Sequence, residues 1–259
     1  GGEKGVFVHP SQRTVDENDV PSFQFDVYPG YQVAKLKTWP VPIPPSVWTE
    51  ILAGGNFVLE SCAMSSDGQI MFLATSNTAG NVSHSLDRGA TWHEELAADE
   101  VGYSNWASVA CSGDGQCVLA GRRSEGNTLY GKIFHTIDGG ANWHEEFPAG
   151  AVMKSWCHVA MSGDGQVMLV ISDLNYNVHP TGRLYLTTNG GSTWTEQVPA
   201  GNADKWWVGI AVSTDGTNLL AVEHDKRFWH SVNSGASWHE EYMFTGADRA
   251  WDNCAVNED

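Results

Sequence analysis

Residues 106–115 read W-A-S-V-A-C-S-G-D-G, and the stretch returns as W-C-H-V-A-M-S-G-D-G from Trp156 and W-V-G-I-A-V-S-T-D-G from Trp207. A fainter copy, L-E-S-C-A-M-S-S-D-G, starts at Leu59, and W-D-N-C-A-V-N-E-D starts at Trp251. In every copy the Asp stands eight residues after the first position, and the copies begin 47, 50, 51 and 44 residues apart. A fixed period of this length marks stacked copies of one supersecondary unit, and it falls in the range of propeller blades.

A second pattern lies between these copies: S-L-D-R-G-A-T-W (85–92), T-I-D-G-G-A-N-W (136–143), T-T-N-G-G-S-T-W (187–194) and S-V-N-S-G-A-S-W (231–238), with a degenerate end at Trp48. Gly and Asp occupy positions where a turn needs a positive φ or a local side-chain acceptor. Each unit therefore reads as four short strands. In the second unit these are Val109–Cys111, Gln116–Ala120, Tyr130–Thr136 and Asn142–Phe147. No segment has helical periodicity. The fold class is all-β, a β-propeller of four-stranded antiparallel blades.

Four complete units span about 57–243. A fifth blade is expected from both ends of the chain: a first strand from Trp251, a last strand at Ser46–Ile51, and further strands at Gly5–His9 and Tyr31–Thr38. Closure of that kind removes free sheet edges. The alternative is part of a larger propeller. Residues 1–45 form an N-terminal arm and partial closing blade, and 46–259 the propeller. Within the arm, 10–30 and 39–45 read as extended segment and connecting loop, because the run Pro40–Pro45 cannot be a central strand.

The second pattern resembles the Asp-box, or BNR, repeat, S-x-D-x-G-x-T-W, whose family includes sialidases, sortilin-like receptors, several glycoside hydrolases and the photosystem II stability and assembly factor. The resemblance covers about 57–259. It implies that the box is a structural turn. Asp87 and Asp138, with Asn189 and Asn233 in the same place, accept backbone amides of their own turns. Gly89, Gly140, Gly191 and Gly235 complete those turns, and Trp92, Trp143, Trp194 and Trp238 pack between sheets. Catalytic sialidases of this family carry an early F/Y-R-I-P motif, which is absent here, and an arginine cluster. The seven arginines of this chain (Arg13, Arg88, Arg122, Arg123, Arg183, Arg227, Arg249) fall mostly in predicted turns and loops.

Composition narrows the function classes. The chain has 259 residues, 14 basic and 31 acidic, for a formal charge of -17. Nucleic-acid binders displace counterions with clustered Lys and Arg, so no nucleic-acid partner is expected. No run of 18 apolar residues exists, and no membrane insertion is expected. Five cysteines are too few for a disulfide scaffold. Cys62 with Cys254, and Cys111 with Cys117, are the conceivable pairs.

Candidate sites follow from the repeat. Trp106, Trp156, Trp207 and Trp251 begin first strands, which line a propeller channel. They read either as packing against a neighbouring blade or as an aromatic platform at the channel mouth. Trp206 adds an apolar face. The loops contribute Arg122 and Arg123, which could dock an acidic patch, and Tyr176 and His179 in the long third-blade loop. Glu94–Glu95, Glu145–Glu146 and Glu240–Glu241 recur with the repeat and read as architectural. His93, His144 and His239 sit in neighbouring blades, too far apart to share one metal. No Cys–His nucleophile pattern emerges. No catalytic residue, metal or cofactor is expected.

The reading is a non-enzymatic interaction or assembly module that binds a protein partner or membrane-complex subunits. Such a module could be a lumenal subunit or assembly factor of a photosynthetic complex. Alternatives are a secreted carbohydrate-binding, lectin-like protein and a glycoside hydrolase of the sialidase-like class. The expected compartment is extracytoplasmic, either thylakoid lumen or secreted and cell-surface. The sequon at Asn81 is compatible with secretion.

Overall fold

A computed structural model describes residues 13–15, 21–23, 58–77, 80–96, 104–124, 131–150, 154–173, 182–224, 227–242 and Cys254. The chain divides into two units, Gly1–Glu50 and Ile51–Asp259. The first holds a hairpin of β1 (Arg13–Val15) and β2 (Pro21–Phe23), with Arg13 opposite Phe23. The sequence reading of an extended segment over 10–30 does not include this hairpin, and the rest of that stretch lies outside the described residues. The intervening D-E-N-D-V is rich in turn formers. Pro21 stands at the first position of its strand, where a missing N–H is tolerated.

The second unit holds four antiparallel blades. Blade 1 is β3 (Val58–Met64), β4 (Met71–Asn77), β5 (Val82–Ser85) and β6 (His93–Leu96). Blade 2 is β7 (Ser104–Cys111), β8 (Val118–Arg122), β9 (Ile133–Thr136) and β10 (His144–Glu146). Blade 3 is β11 (Ser155–Met161), β12 (Met168–Asp173), β13 (Gly182–Thr187) and β14 (Thr195–Gln197). Blade 4 is β15 (Trp207–Val212), β16 (Leu219–Glu223), β17 (Arg227–Ser231) and β18 (His239–Tyr242). In each blade the strands pair in chain order. The repeat thus becomes a β-propeller fold. The strands expected for a fifth blade lie outside the described residues, apart from Cys254.

The first turn of each blade is built identically. Ser65, Ser112, Ser162 and Ser213 donate their hydroxyls to Asp67, Asp114, Asp164 and Asp215 at 2.6–2.7 Å. Each Asp accepts the amide two residues on, and each Ser hydroxyl accepts the amide five residues on, at 2.9–3.0 Å. The turn glycines Gly68, Gly115, Gly165 and Gly216 have φ of 67–73°, the left-handed region open to glycine. These side-chain bonds satisfy amides that the strand ladders leave over.

Two systems join the blades. Backbone bonds run turn to turn: Ser66 N–H to Gly113 O, Gly113 N–H to Gly163 O and Gly163 N–H to Thr214 O, each 2.8 Å. At the other end, β4 pairs with β7 through Ser76–Asn105 and Asn77–Ser104, and bridges join Gly131 to Lys154 and Gly182 to Lys205. Between these ends three apolar clusters fill the three blade interfaces, centred on Phe72, Trp106 and Val118, then Leu119, Trp156 and Met168, then Leu169, Leu184 and Trp207. Burial of such side chains is the main favourable term of the fold.

Candidate binding face

The antiparallel blades have two ends. One carries the first turns and the Trp turns. The other carries the starts of strands 1, the ends of strands 2 and the starts of strands 3, and the variable loops emerge between the last two.

At the turn end, polar groups are engaged within the architecture. Asp87 Oδ1 accepts the Ser85 hydroxyl and the Thr91 amide, both at 2.8 Å, while its Oδ2 accepts the Thr91 hydroxyl at 2.7 Å. Asp138 repeats this with Thr136 and Asn142. These bonds hold both carboxyls down at about 2. Asn189 and Asn233 keep the Oδ1 bonds, and their Nδ2 donates to the Thr193 and Ser237 hydroxyls at 2.9 Å. Trp194 Nε1–H donates to Glu146 Oε2 at 3.0 Å, and Trp238 Nε1–H to Gln197 Oε1 at 2.9 Å, each reaching the preceding blade. Trp143 is half-buried against the cluster between blades 1 and 2. Trp92 Nε1–H closes on Gly89 O of its own turn.

The loop end differs from blade to blade. Arg123 pairs with Glu60 at 3.5 Å, and Glu60 accepts the Ser76 hydroxyl at 2.7 Å. Lys154 Nζ lies 5.8 Å from the Tyr185 ring centroid. The Arg183 guanidinium gathers Asp204, Glu196 at 2.7 Å and Asn202 at 2.8 Å. Lys205 pairs with Glu223 at 3.5 Å, and Trp206 stacks flat on His224 with 3.5 Å between centroids. His158, on β11 near Arg123, is pushed down to about 4 by burial and then by that guanidinium, so its ring is neutral at pH 7. Among the described Lys and Arg of the blades, Arg122, Arg123, Lys132, Lys154, Arg183, Lys205 and Arg227 stand at the loop end, and Arg88 alone at the turn end.

Several sequence expectations change here. Trp106, Trp156 and Trp207 are 1%, 4% and 5% exposed, so they are interface core and cannot form a platform at a channel mouth. The cause is a β-bulge recurring one residue after each of them. In a regular strand Trp106 and Val109 would face opposite sides. The extra residue turns Trp106 onto the Val109 side, and both join one cluster. Arg122 is buried, and Arg123 is paired with Glu60, so the two do not form an open basic patch. Trp206 remains half-exposed. Trp251, Tyr176 and His179 lie outside the described residues.

Cys62, Cys111 and Cys117 are free thiols, so neither conceivable disulfide is formed. Burial, followed by nearby carboxylates, pushes Cys111 up to about 11 and Cys117 to about 12. A Cys–His contact nevertheless exists: Cys117 Sγ is 3.1 Å from His135 Nε2, and His135 Nδ1 is 3.2 Å from Glu146 Oε1. With a thiol raised so far, the arrangement does not supply a nucleophile at neutral pH. Sequence reasoning missed His84, His135 and His230. The available signal was a histidine three residues before the Asp or Asn of three Trp turns.

Among the described residues, no helix is long and apolar enough to cross a membrane. No family model matches the chain, and no curated protein matches it. Solved structures do match in fold. The GH74 enzyme of Niastella koreensis aligns with TM-score 0.53 and 19% identity over 70% of this chain and 29% of its own. YCF48 from Cyanidioschyzon merolae aligns with TM-score 0.54 and 16% identity over 80% of this chain and 62% of its own. YCF48 bound to D1 peptide aligns with TM-score 0.50 and 16% identity over the same shares, 80% and 62%. This chain therefore spans less than two thirds of the length of each.

Proposed function

We propose that the chain is a propeller of the Asp-box type acting as a non-enzymatic interaction module, which captures a protein segment across its loop end in an extracytoplasmic setting. The observation that carries this reading is the division of side chains between the two ends. The turn end repeats the same hydrogen bonds in every blade, and its polar groups serve the architecture. The loop end gathers most of the described basic residues and the half-exposed Trp206–His224 stack, which no other blade copies. A rigid scaffold with varied loops at one end is the usual setting for binding. That a YCF48 propeller is bound to D1 peptide in a solved structure supports a peptide-sized partner, and a lumenal assembly role beside a photosynthetic complex is the version we favour. The half-exposed Trp206 also favours a sugar-binding reading as the second choice.

Capture from a native extract tests this. The wild-type chain is compared with Trp206→Ala combined with Lys205→Glu. The same partner should be retained by the wild type and lost by the variant, both assayed well below their melting temperatures because Lys205→Glu also sets a carboxylate against Glu223. Equal retention contradicts a loop-end site. Release of reducing ends from polysaccharide substrates contradicts the non-enzymatic reading, and selective glycan retention supports the second choice.

A further inference from the structure

Blades 1, 2 and 4 share three side chains that blade 3 lacks as a set. A histidine three residues before the Trp-turn Asp or Asn (His84, His135, His230) lies directly across the ladder from the histidine after the turn Trp (His93, His144, His239). A glutamate two residues further along shares the second histidine's face (Glu95, Glu146, Glu241). Blade 3 has Leu186, Thr195 and Gln197 at the three places. The architecture does not require the glutamate, because Gln197 accepts the next blade's Trp238 as Glu146 accepts Trp194. The three residues are present together or absent together, as members of one site would be.

In blade 2 their donor atoms converge. Glu146 Oε1 is 3.2 Å from His135 Nδ1 and 3.0 Å from His144 Nε2, and the three atoms all lie within 4.8 Å of one another. Donors about 3.4 Å apart are what a tetrahedral ion with bonds near 2.1 Å requires. The neighbouring blade approaches closely and only glycine fits there: a Cβ on Gly191 would stand 2.7 Å from Glu146 Oε1 and 3.4 Å from His135 Nδ1. We propose that His135, His144 and Glu146 form a binding site for a divalent transition-metal cation, zinc above all.

Two neutral imidazoles and one carboxylate form a donor set that suits zinc, and His144, exposed at its side chain, leaves a fourth position open to water. His135 would bind through Nδ1 and keep its proton on Nε2, which Cys117 Sγ accepts at 3.1 Å. That contact orients the ring, the role that outer-shell partners of metal-binding histidines play. Blades 1 and 4 carry partial copies, in which the three donors do not converge. His84 Nδ1 is buried 2.7 Å from Glu95 Oε1 without hydrogen-bonding geometry, and His230 Nδ1 is 3.9 Å from Glu241.

The test uses the full chain stripped with a chelator, and Zn²⁺ or Co²⁺ alone as the probe. The variant is His144→Thr with Glu146→Gln, which installs residues that blade 3 already accommodates. Zn²⁺ should raise the melting temperature of the wild type, and competition with a chromophoric chelator should show one site tighter than any other. The variant, with the same metal-free melting temperature, should bind that equivalent at least about tenfold more weakly and lose the visible Co²⁺ absorption of a low-coordinate site. A wild type with no zinc-dependent rise, or a variant that keeps the wild-type affinity and Co²⁺ spectrum, overturns the proposal.

Discussion

At the residue scale, the Trp turn shows which parts of a side chain the fold uses. Aspartate and asparagine both supply Oδ1 to an amide four residues on. The second atom can be an oxygen or an amide, because the hydroxyl facing it in blades 1, 3 and 4 turns from donor to acceptor. The carboxylates differ in one respect: they titrate. Asp87 is held at about 2, below its unfolded value, mainly by the Thr91 and Ser85 bonds. The stabilisation it brings is complete above the ordinary carboxylate pKa and is lost as pH falls through about 2. Asp87→Asn should therefore leave the melting temperature at pH 7 nearly unchanged and lessen its fall between pH 4 and pH 2, read by thermal melts across that range. The residue before each turn glycine is also left-handed, a glycine in blades 2 and 3 but Arg88 (φ 61°) and Ser234 (φ 52°) in blades 1 and 4. Relief of that conformation should make Arg88→Gly stabilising by about 0.5–1 kcal/mol in denaturant unfolding. Ser234→Gly should gain less, because Ser234 donates its hydroxyl to Gly216 O at 2.8 Å.

At the element scale, the blade was largely legible in the sequence. Repeated turns state their own positions, and the strands between them were placed within a few residues. The destination of the first-strand tryptophans was not legible. Their facing depends on a bulge, and a bulge is a property of strand pairing, invisible in one strand's alternation. The His–His–Glu sets stayed hidden for a similar reason: the two histidines are nine residues apart in sequence, and only the hairpin register brings them opposite. The β1–β2 hairpin was missed because three-residue strands carry too short a pattern to read. The first-turn glycines do more than turn the chain. A Cβ on Gly165 would stand 2.6 Å from Cys117 Sγ, and one on Gly216 2.6 Å from Val167 Cγ2, both side chains of the preceding blade. Gly165→Ala therefore combines a left-handed backbone with an interface clash, and should destabilise by about 2–4 kcal/mol in urea unfolding.

At the scale of the whole molecule, each blade covers the apolar face of the next one's first strand. β3 is the exception among the described residues. Leu59, Cys62 and Met64, the counterparts of Trp106, Val109 and Cys111, are exposed. A thiol reagent should therefore label Cys62 of the native chain ahead of buried Cys157, and equal protection of the two would contradict an open β3 face. The division of labour between the two ends makes the broader claim that partners meet the loops and never the turns. Its most direct test is a photo-crosslinking side chain placed in turn at position 203, whose native Ala203 is exposed three residues before Trp206 at the loop end, and at position 137, whose native Ile137 is 70% exposed on a Trp turn. In native extract the probe at 203 should form a discrete partner adduct and the probe at 137 none. An adduct at 137 with none at 203 would contradict the account.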